Sequence, residues 1–76
     1  MLTKTERFLL TSNKELTRIA GDALSDVAAI YLYLSTLPHL DAATQEELRK
    51  HSEQRKELGQ QMRKNAETLG TVLEQP

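Results

Sequence analysis

The chain has 76 residues, no cysteine, and ten basic against eleven acidic side chains, which gives a net charge of about −1. This composition excludes disulfides and thiolate metal sites, and two isolated histidines do not suggest a structural zinc site. The charges are nearly balanced in each half, without the basic excess that attracts nucleic acid or anionic lipid. A domain of this size has a marginal core, and oligomerisation is the remaining common way to stabilise it.

The first predicted helix spans about residues 4–36. Thr3 and Glu6 have the spacing of a capping box, and apolar residues follow directly behind them. Further along, apolar residues recur in alternating steps of four and three, the heptad pattern of a helix that packs on another helix. These positions form the predicted seam of this helix: Leu9, Leu16, Ala20, Ala23, Val27, Ile30, Leu34 and Leu37.

Gly21 and Asp22 interrupt this helix and could end one helix and cap another. The seam keeps its phase across Gly21, so we favour one continuous helix in which the glycine permits a close backbone approach. A glycine inside a helix costs about 1 kcal/mol relative to alanine, which tertiary packing can offset. The alternative of a strand at residues 30–34 has no second strand in the chain to pair with.

The densest apolar block of the chain lies at residues 23–37. Every residue from Val27 to Leu34 is apolar or aromatic. A helix that is apolar all round must be buried on several sides. The run is too short to span a membrane, and the N-terminus lacks a signal pattern, so we expect a soluble, cytoplasmic protein.

A second helix is predicted over about residues 42–73. Leu37 precedes Pro38 and is therefore disfavoured in a helix, and Asp41 is a good N-cap for the next one. The short connection predicts antiparallel neighbours, and we expect a loose end at residues 75–76. The seam of this helix is only thinly apolar: Leu48, His51, Arg55, Leu58, Met62, Asn65, Leu69 and Val72.

These elements predict one all-α domain over residues 1–76, an antiparallel two-helix hairpin that dimerises into a four-helix bundle. One neighbouring helix cannot cover the apolar block, whereas a second copy of the chain can, and symmetric pairs are the commonest oligomers. The predicted dimer and core residues are Leu16, Ala20, Ala23, Val27, Ile30, Leu34, Leu58, Met62 and Leu69. Polar residues on the seams, Asn13, Arg55 and Asn65, either set the register of packing or lie in water.

No arrangement of residues predicts catalysis, a cofactor or a metal. The sequence has neither a nucleophile with an oriented base nor a glycine-rich phosphate loop, so we do not expect an enzyme. Asp22 and Asp26 stand one turn apart, but Arg18 predicts an ordinary ion pair with Asp22. We interpret His39 as a loop residue and His51 as a seam histidine, with a pH-sensing role as its alternative.

A basic stripe on the second helix raises the possibility of nucleic-acid binding. Arg49, Lys56 and Arg63 repeat every seven residues and could follow phosphates. Glu53 and Glu57 are interleaved with them, which is typical of a salt-bridged solvent face. All three aromatic residues of the chain lie in the first helix, so base-stacking side chains are missing from the stripe.

Recognition of another protein is the function that the apolar block favours. Tyr31 and Tyr33 point about 200° apart on an ideal helix, so both cannot face the second helix. Tyrosines are enriched at interface hot spots, and these two serve either the dimer core or a partner. The predicted partner-binding residues are Ala29, Tyr31, Leu32, Tyr33, Asp22 and Asp26.

We therefore predict a small protein-binding regulator that masks a surface of a larger protein, such as a transcription factor or an ATPase. In size and type the chain resembles the very small all-helical adaptors and inhibitors of phages and bacterial regulators, a resemblance of architecture without a shared motif. The alternatives are a nucleic-acid-binding helical dimer and a structural subunit of a helical assembly.

Overall fold

Two long helices make up most of the computed structural model, which describes residues 1–75. The first, α1, spans Lys4–Leu34, and the second, α2, spans Ala42–Glu74. They pack side by side as an antiparallel hairpin about 57 Å long. Residues 1–75 contain no strand, so the predicted all-α two-helix hairpin is confirmed and the strand alternative is excluded.

Both predicted N-caps are present. The Thr3 Oγ1 atom accepts a hydrogen bond from the Glu6 N–H at 3.1 Å, and Glu6 Oε1 accepts one from the Thr3 N–H at 2.9 Å. At the start of α2, Asp41 Oδ1 accepts a hydrogen bond from the Thr44 N–H at 2.7 Å. These bonds satisfy N–H groups that have no partner within the helix, and so they fix where each helix begins.

We expect the two carboxylate caps to make the hairpin less stable in acid. Hydrogen bonds from Thr3 lower the pKa of Glu6, and hydrogen bonds from Thr44 lower the pKa of Asp41. A pKa that is lower in the folded chain contributes stability above the unfolded-state pKa, and this stability is lost as the pH falls through the folded-state value. The thermal midpoint, followed by circular dichroism from pH 7 to pH 2, should therefore fall less in Asp41→Asn than in wild type. Asparagine caps a helix without titrating, so identical pH profiles would contradict this role of Asp41.

The end of α1 lies two residues before the predicted end near residue 36. The chain leaves the helix after Leu34 through a turn in which the Thr36 N–H donates to the Tyr33 carbonyl at 3.0 Å. Pro38 disfavours helical backbone at the residue before it, which explains why the helix stops short of this proline. The Leu37 carbonyl accepts a hydrogen bond from the Gln45 side chain at 3.0 Å, and this bond ties the connection to α2.

Small residues at seven-residue spacing form the contact between the helices. The backbones approach so closely at the crossing of Gly21 and Gly59 that a Cβ atom on Gly21 would lie 3.0 Å from the Gly59 carbonyl oxygen. Nearby, the Ser52 hydroxyl donates to the Ala28 carbonyl at 2.8 Å. α1 is continuous through Gly21, as predicted. The buried residues of the contact are Gly21, Ala28 and Ser35 from the first half of the chain and Ser52, Gly59 and Ala66 from the second.

The interhelical seam therefore differs from the predicted one. In α1 the buried positions follow the predicted seam by one residue, so that Gly21 and Ala28 face α2 in place of Ala20 and Val27. Leu16 is 65% exposed and Ile30 58% exposed in the hairpin, so the dimer and core role predicted for them would need a surface beyond α2. The physical reason is that small side chains allow a closer approach, with hydrogen bonding between the helices, than leucine and isoleucine would.

The open end of the hairpin is held by Arg7. Its Nη1 atom donates a hydrogen bond to the Leu73 carbonyl at 2.7 Å, and the last turn of α2 contains no basic residue of its own. A cation at a helix C-terminus is favourable because the unpaired carbonyls there carry partial negative charge. Gln75 still donates its N–H to the Val72 carbonyl at 3.2 Å, while Pro76, the other residue of the predicted loose end, lies outside the described residues.

Candidate functional site

One side of the hairpin is an apolar face that contains both predicted seams. Its middle is marked by Tyr31, which stacks on His51, and by Leu24, which lines a groove with Leu58. Leu24 and Tyr31 each lie three or four residues from two members of the predicted seam of α1, which are Ala20, Val27 and Leu34. Residues at that spacing lie on the same side of a helix. We define the apolar face by Leu9, Leu16, Ala20, Ala23, Val27, Ile30 and Leu34 of α1 with Leu48, His51, Leu58, Met62, Leu69 and Val72 of α2.

The hairpin alone leaves much of this face in water. Leu9, Leu16, Ala23, Val27, Ile30 and Leu58 are exposed, whereas Ala20, Leu34, Met62 and Leu69 are half-buried. All of these except Leu9 are predicted dimer and core residues, and none of them is fully buried. Their role in a dimer stays a prediction, and the chain by itself does not supply the surface that would cover them.

The opposite side of the hairpin is a charged face. Arg63 donates to Asp22 Oδ1 from Nη2 at 3.2 Å and from Nε at 3.3 Å, which joins the two helices. Arg18 contacts the other Asp22 oxygen at 3.5 Å, as predicted, and also pairs with Glu15 at 2.9 Å. These side chains are about half exposed, where ion pairs contribute little to stability. Asp22 is therefore already engaged within the chain, whatever it contributes to a partner.

The two tyrosines occupy different environments, as their predicted directions require. Tyr31 is half-buried, with its ring 5.3 Å from the His51 ring and the Arg55 guanidinium 5.3 Å from its centroid. Arg55 Nη1 in turn lies 3.1 Å from His51 Nδ1. Tyr33, by contrast, is 68% exposed. Stacking and cation–π contacts thus hold Tyr31 against α2, together with His51 and Arg55 in the middle of the apolar face.

The remaining predicted partner-binding residues lie on α1 outside the defined apolar face, and Asp26 and Tyr33 border its Ile30 at four- and three-residue spacing. Ala29 and Leu32 border a shallow groove that Ser52 and Lys56 of α2 also line. Leu32 is 54% exposed, and Tyr33 projects next to it in the sequence. Asp26 is exposed and lies seven residues before Tyr33, two turns along the same side of the helix. We call Asp26, Ala29, Leu32 and Tyr33 the outer surface.

The basic stripe of α2 is largely paired with carboxylates. Arg63 contacts Asp22, and Arg49 donates to Glu46 at 3.1 Å. Lys56 is exposed beside the groove that Arg63 and Ser52 also line. Two of the three cations of the stripe are therefore partly neutralised, which supports the interpretation as a salt-bridged solvent face.

A close backbone approach at Gly21 was predicted from the sequence, but the other small residues of the contact between the helices were missed. Their signal was available as two sets of three small residues, each at seven-residue spacing. Apolar periodicity gives more weight to leucine and isoleucine, and it therefore selected the predicted seam, which lies one residue away on each helix. Within residues 1–75 no group of three histidine, aspartate or glutamate side chains could hold a metal ion, and neither described helix is long and apolar enough to cross a bilayer.

Comparison of the chain with protein-family models, with curated proteins and with solved structures finds no match.

Proposed function

We propose that the chain is a small protein-binding regulator, an inhibitor or adaptor that masks a surface of a larger protein such as a transcription factor or an ATPase. The observation that carries this proposal is that α1 exposes large apolar side chains on two different sides. Leu16 is exposed on the apolar face and Leu32 on the outer surface, and the exposed Ile30 and Tyr33, three residues apart, lie where the two surfaces meet. Such exposure marks association surfaces when it is contiguous along an element.

The two surfaces have different roles in this proposal. The apolar face pairs with a second copy of the chain and completes a four-helix bundle. This pairing stabilises a hairpin in which small residues occupy all the buried positions of residues 1–75. The outer surface stays on the outside of that bundle and contacts the larger partner. Tyr33 is its anchor, because a tyrosine brings a large apolar body together with a hydroxyl.

The regulator acts by binding and not by catalysis, and the proposed location is the cytoplasm. A chain without cysteine fits a reducing compartment. Masking requires contact area and affinity, and no reacting group has to be positioned. The carboxylate of Asp26 is available to pair with a basic group of the partner at the edge of the contact.

Capture of a partner by immobilised wild-type and variant chains tests the role of the outer surface. Tyr33→Ala and Leu32→Ala should each reduce the captured partner at least tenfold, because truncation of an interface anchor costs about 2 kcal/mol or more. The matched control is Phe8→Ala, since Phe8 is 69% exposed against 68% for Tyr33 but lies near the other end of α1. Equal capture by all four chains would contradict the proposal. Addition of the free chain should then lower the activity of the captured protein.

A further inference from the structure

The apolar face carries a stripe on α1 that reads nearly the same in both chain directions. Its positions follow steps of four and three: Leu9, Asn13, Leu16, Ala20, Ala23, Val27, Ile30 and Leu34. None of these side chains is charged. About the midpoint between residues 21 and 22, Ala20 mirrors Ala23 and Leu16 mirrors Val27. At the ends Leu9 mirrors Leu34, and the one mixed pair is Asn13 with Ile30.

A stripe on α2 has the same property. Its positions are Leu48, His51, Arg55, Leu58, Met62, Asn65, Leu69 and Val72. About a midpoint at Gln60, Leu58 mirrors Met62, and Leu48 mirrors Val72 at the ends. Two polar residues are also paired, because Arg55 mirrors Asn65. The one pair of a polar and an apolar residue is His51 with Leu69.

The contacts of the hairpin place these two midpoints side by side. Tyr31, which lies nine and a half residues after the midpoint of α1, stacks on His51, which lies nine residues before the midpoint of α2. The half-residue difference corresponds to less than about 1 Å along a helix axis. One two-fold axis perpendicular to both helices can therefore bring like residues of both stripes opposite one another at once.

We infer that the apolar face binds a second copy of this chain through such an axis, with α1 antiparallel to α1 of the partner subunit and α2 antiparallel to α2 of the partner subunit. The inference rests on the homodimer of the proposed function and specifies its geometry. Alanines at the centre of the α1 stripe allow close approach near the axis. Further from the axis, Leu16 of one chain lies opposite position 27 of the other. On α2, position 55 of one chain lies opposite position 65 of the other, so the polar side chains are at the same level of the bundle.

The face runs along the hairpin, whose Cα atoms extend over about 57 by 13 Å. A standard stable interface buries about 800 Å² of accessible surface on each partner. Leu9, Leu16, Val27, Ile30 and Leu58 are all exposed along this length and supply apolar surface for such an interface.

The α1 stripe carries no charge, so pairing there buries no unpaired ion. The one cation of the α2 stripe, Arg55, already contacts Tyr31 and His51. The opposite face carries more charge, with Arg18, Asp22 and Arg63.

Disulfide trapping tests this geometry, because the chain has no cysteine of its own. Leu16→Cys and Val27→Cys are prepared separately, one with an affinity tag, then unfolded, mixed, refolded and mildly oxidised. The mixture should give the tagged–untagged disulfide dimer, at a level at least fivefold above the dimer that either variant forms alone. In the inferred geometry position 16 lies opposite position 27 of the partner subunit, whereas two copies of position 16 are eleven residues, about 16 Å, apart along the axis.

A second pair and a control guard against variants that fail to fold. Leu48→Cys with Val72→Cys should behave in the same way on α2, and Leu16→Cys with Leu32→Cys should give no specific product. Helical content by circular dichroism shows which variants fold. Cross-linking of Leu16→Cys with itself at the level of the mixture would indicate parallel packing and overturn the inference. A dimer mass without the mixed product would overturn this geometry alone, and a monomer would overturn the homodimer as well.

Discussion

Leu16→Glu and Ile30→Glu should each weaken self-association by at least 100-fold. Both side chains are more than half exposed in the hairpin, so the folded chain can accommodate a carboxylate at either position. In the dimer the carboxylate would be buried without a cation to pair with, because position 16 lies opposite a valine and position 30 lies opposite a neutral asparagine. The expected cost is about 3–5 kcal/mol, and each substitution occurs twice. Sedimentation equilibrium of wild-type and variant chains measures the change in dissociation constant.

Leu32→Glu is the matched control for these variants. Leu32 is 54% exposed, close to the values of Leu16 and Ile30, but it lies on the outer surface. This substitution should leave the dissociation constant within about threefold of wild type, because surface changes away from a contact alter free energies by about 0.5 kcal/mol or less. If Leu32→Glu dissociated the dimer as strongly as Leu16→Glu, the assignment of the apolar face as the dimer face would be wrong.

The second large effect is expected at the crossing of the two helices. Gly59→Ala should have a free energy of unfolding about 1–3 kcal/mol lower than that of Gly70→Ala. Both substitutions gain the same helix propensity, about 1 kcal/mol. At position 59 the new Cβ would lie 3.0 Å from the Gly21 carbonyl oxygen and 3.2 Å from Ser25 Oγ, so these neighbours must move by a few tenths of an ångström, and the nearer one is backbone. At position 70 its nearest neighbour is the Lys14 Cε atom at 3.4 Å, on a flexible side chain.

Urea unfolding at one fixed protein concentration measures this difference between the two glycine variants. Overpacking of a closely packed contact typically costs 1–3 kcal/mol, which sets the expected range. Gly70→Ala should itself be as stable as wild type or more stable. Equal stability of the two variants would mean that the helices tolerate a wider separation. It would contradict the claim that the close approach at Gly21 and Gly59 stabilises the hairpin.

The bounds of the two helices could be predicted from the sequence because capping residues and proline act on the backbone within a few residues. Thr3 and Glu6 fixed the start of α1, Pro38 fixed its end to within two residues, and Asp41 fixed the start of α2. Each of these positions acts through hydrogen bonds or sterics within a few residues. The continuity of α1 through Gly21 was also predictable, since the heptad pattern kept its phase there.

The face that each helix turns to the other was harder to predict because two stripes compete on α1. The leucine and isoleucine stripe is more hydrophobic, and apolar periodicity alone selects it. The stripe of Gly21, Ala28 and Ser35 is less hydrophobic, yet it allows the closer contact with α2. Burial between the two helices and the proposed burial against a second copy of the chain involve different residues, and apolar periodicity alone does not separate them.

The outer surface shows a further limit of sequence reasoning. Opposite directions for Tyr31 and Tyr33 followed from helix geometry, but the contacts of Tyr31 with His51 and Arg55 depend on the register between the helices. That register is set at the crossing of Gly21 and Gly59, far from the tyrosines in sequence. Side-chain chemistry alone therefore indicated a recognition surface without separating its residues from those that pack in the hairpin.

The central claim is that a second copy of the chain covers the apolar face, and the thermal midpoint of the wild-type chain as a function of its concentration tests it most directly. Folding that is coupled to dimerisation makes the midpoint rise with concentration. Over a 100-fold range the midpoint should rise by several degrees, with a mass at the upper concentration that is twice the 8.6 kDa of one chain. A midpoint that does not change, together with a mass of 8.6 kDa throughout, would contradict the claim.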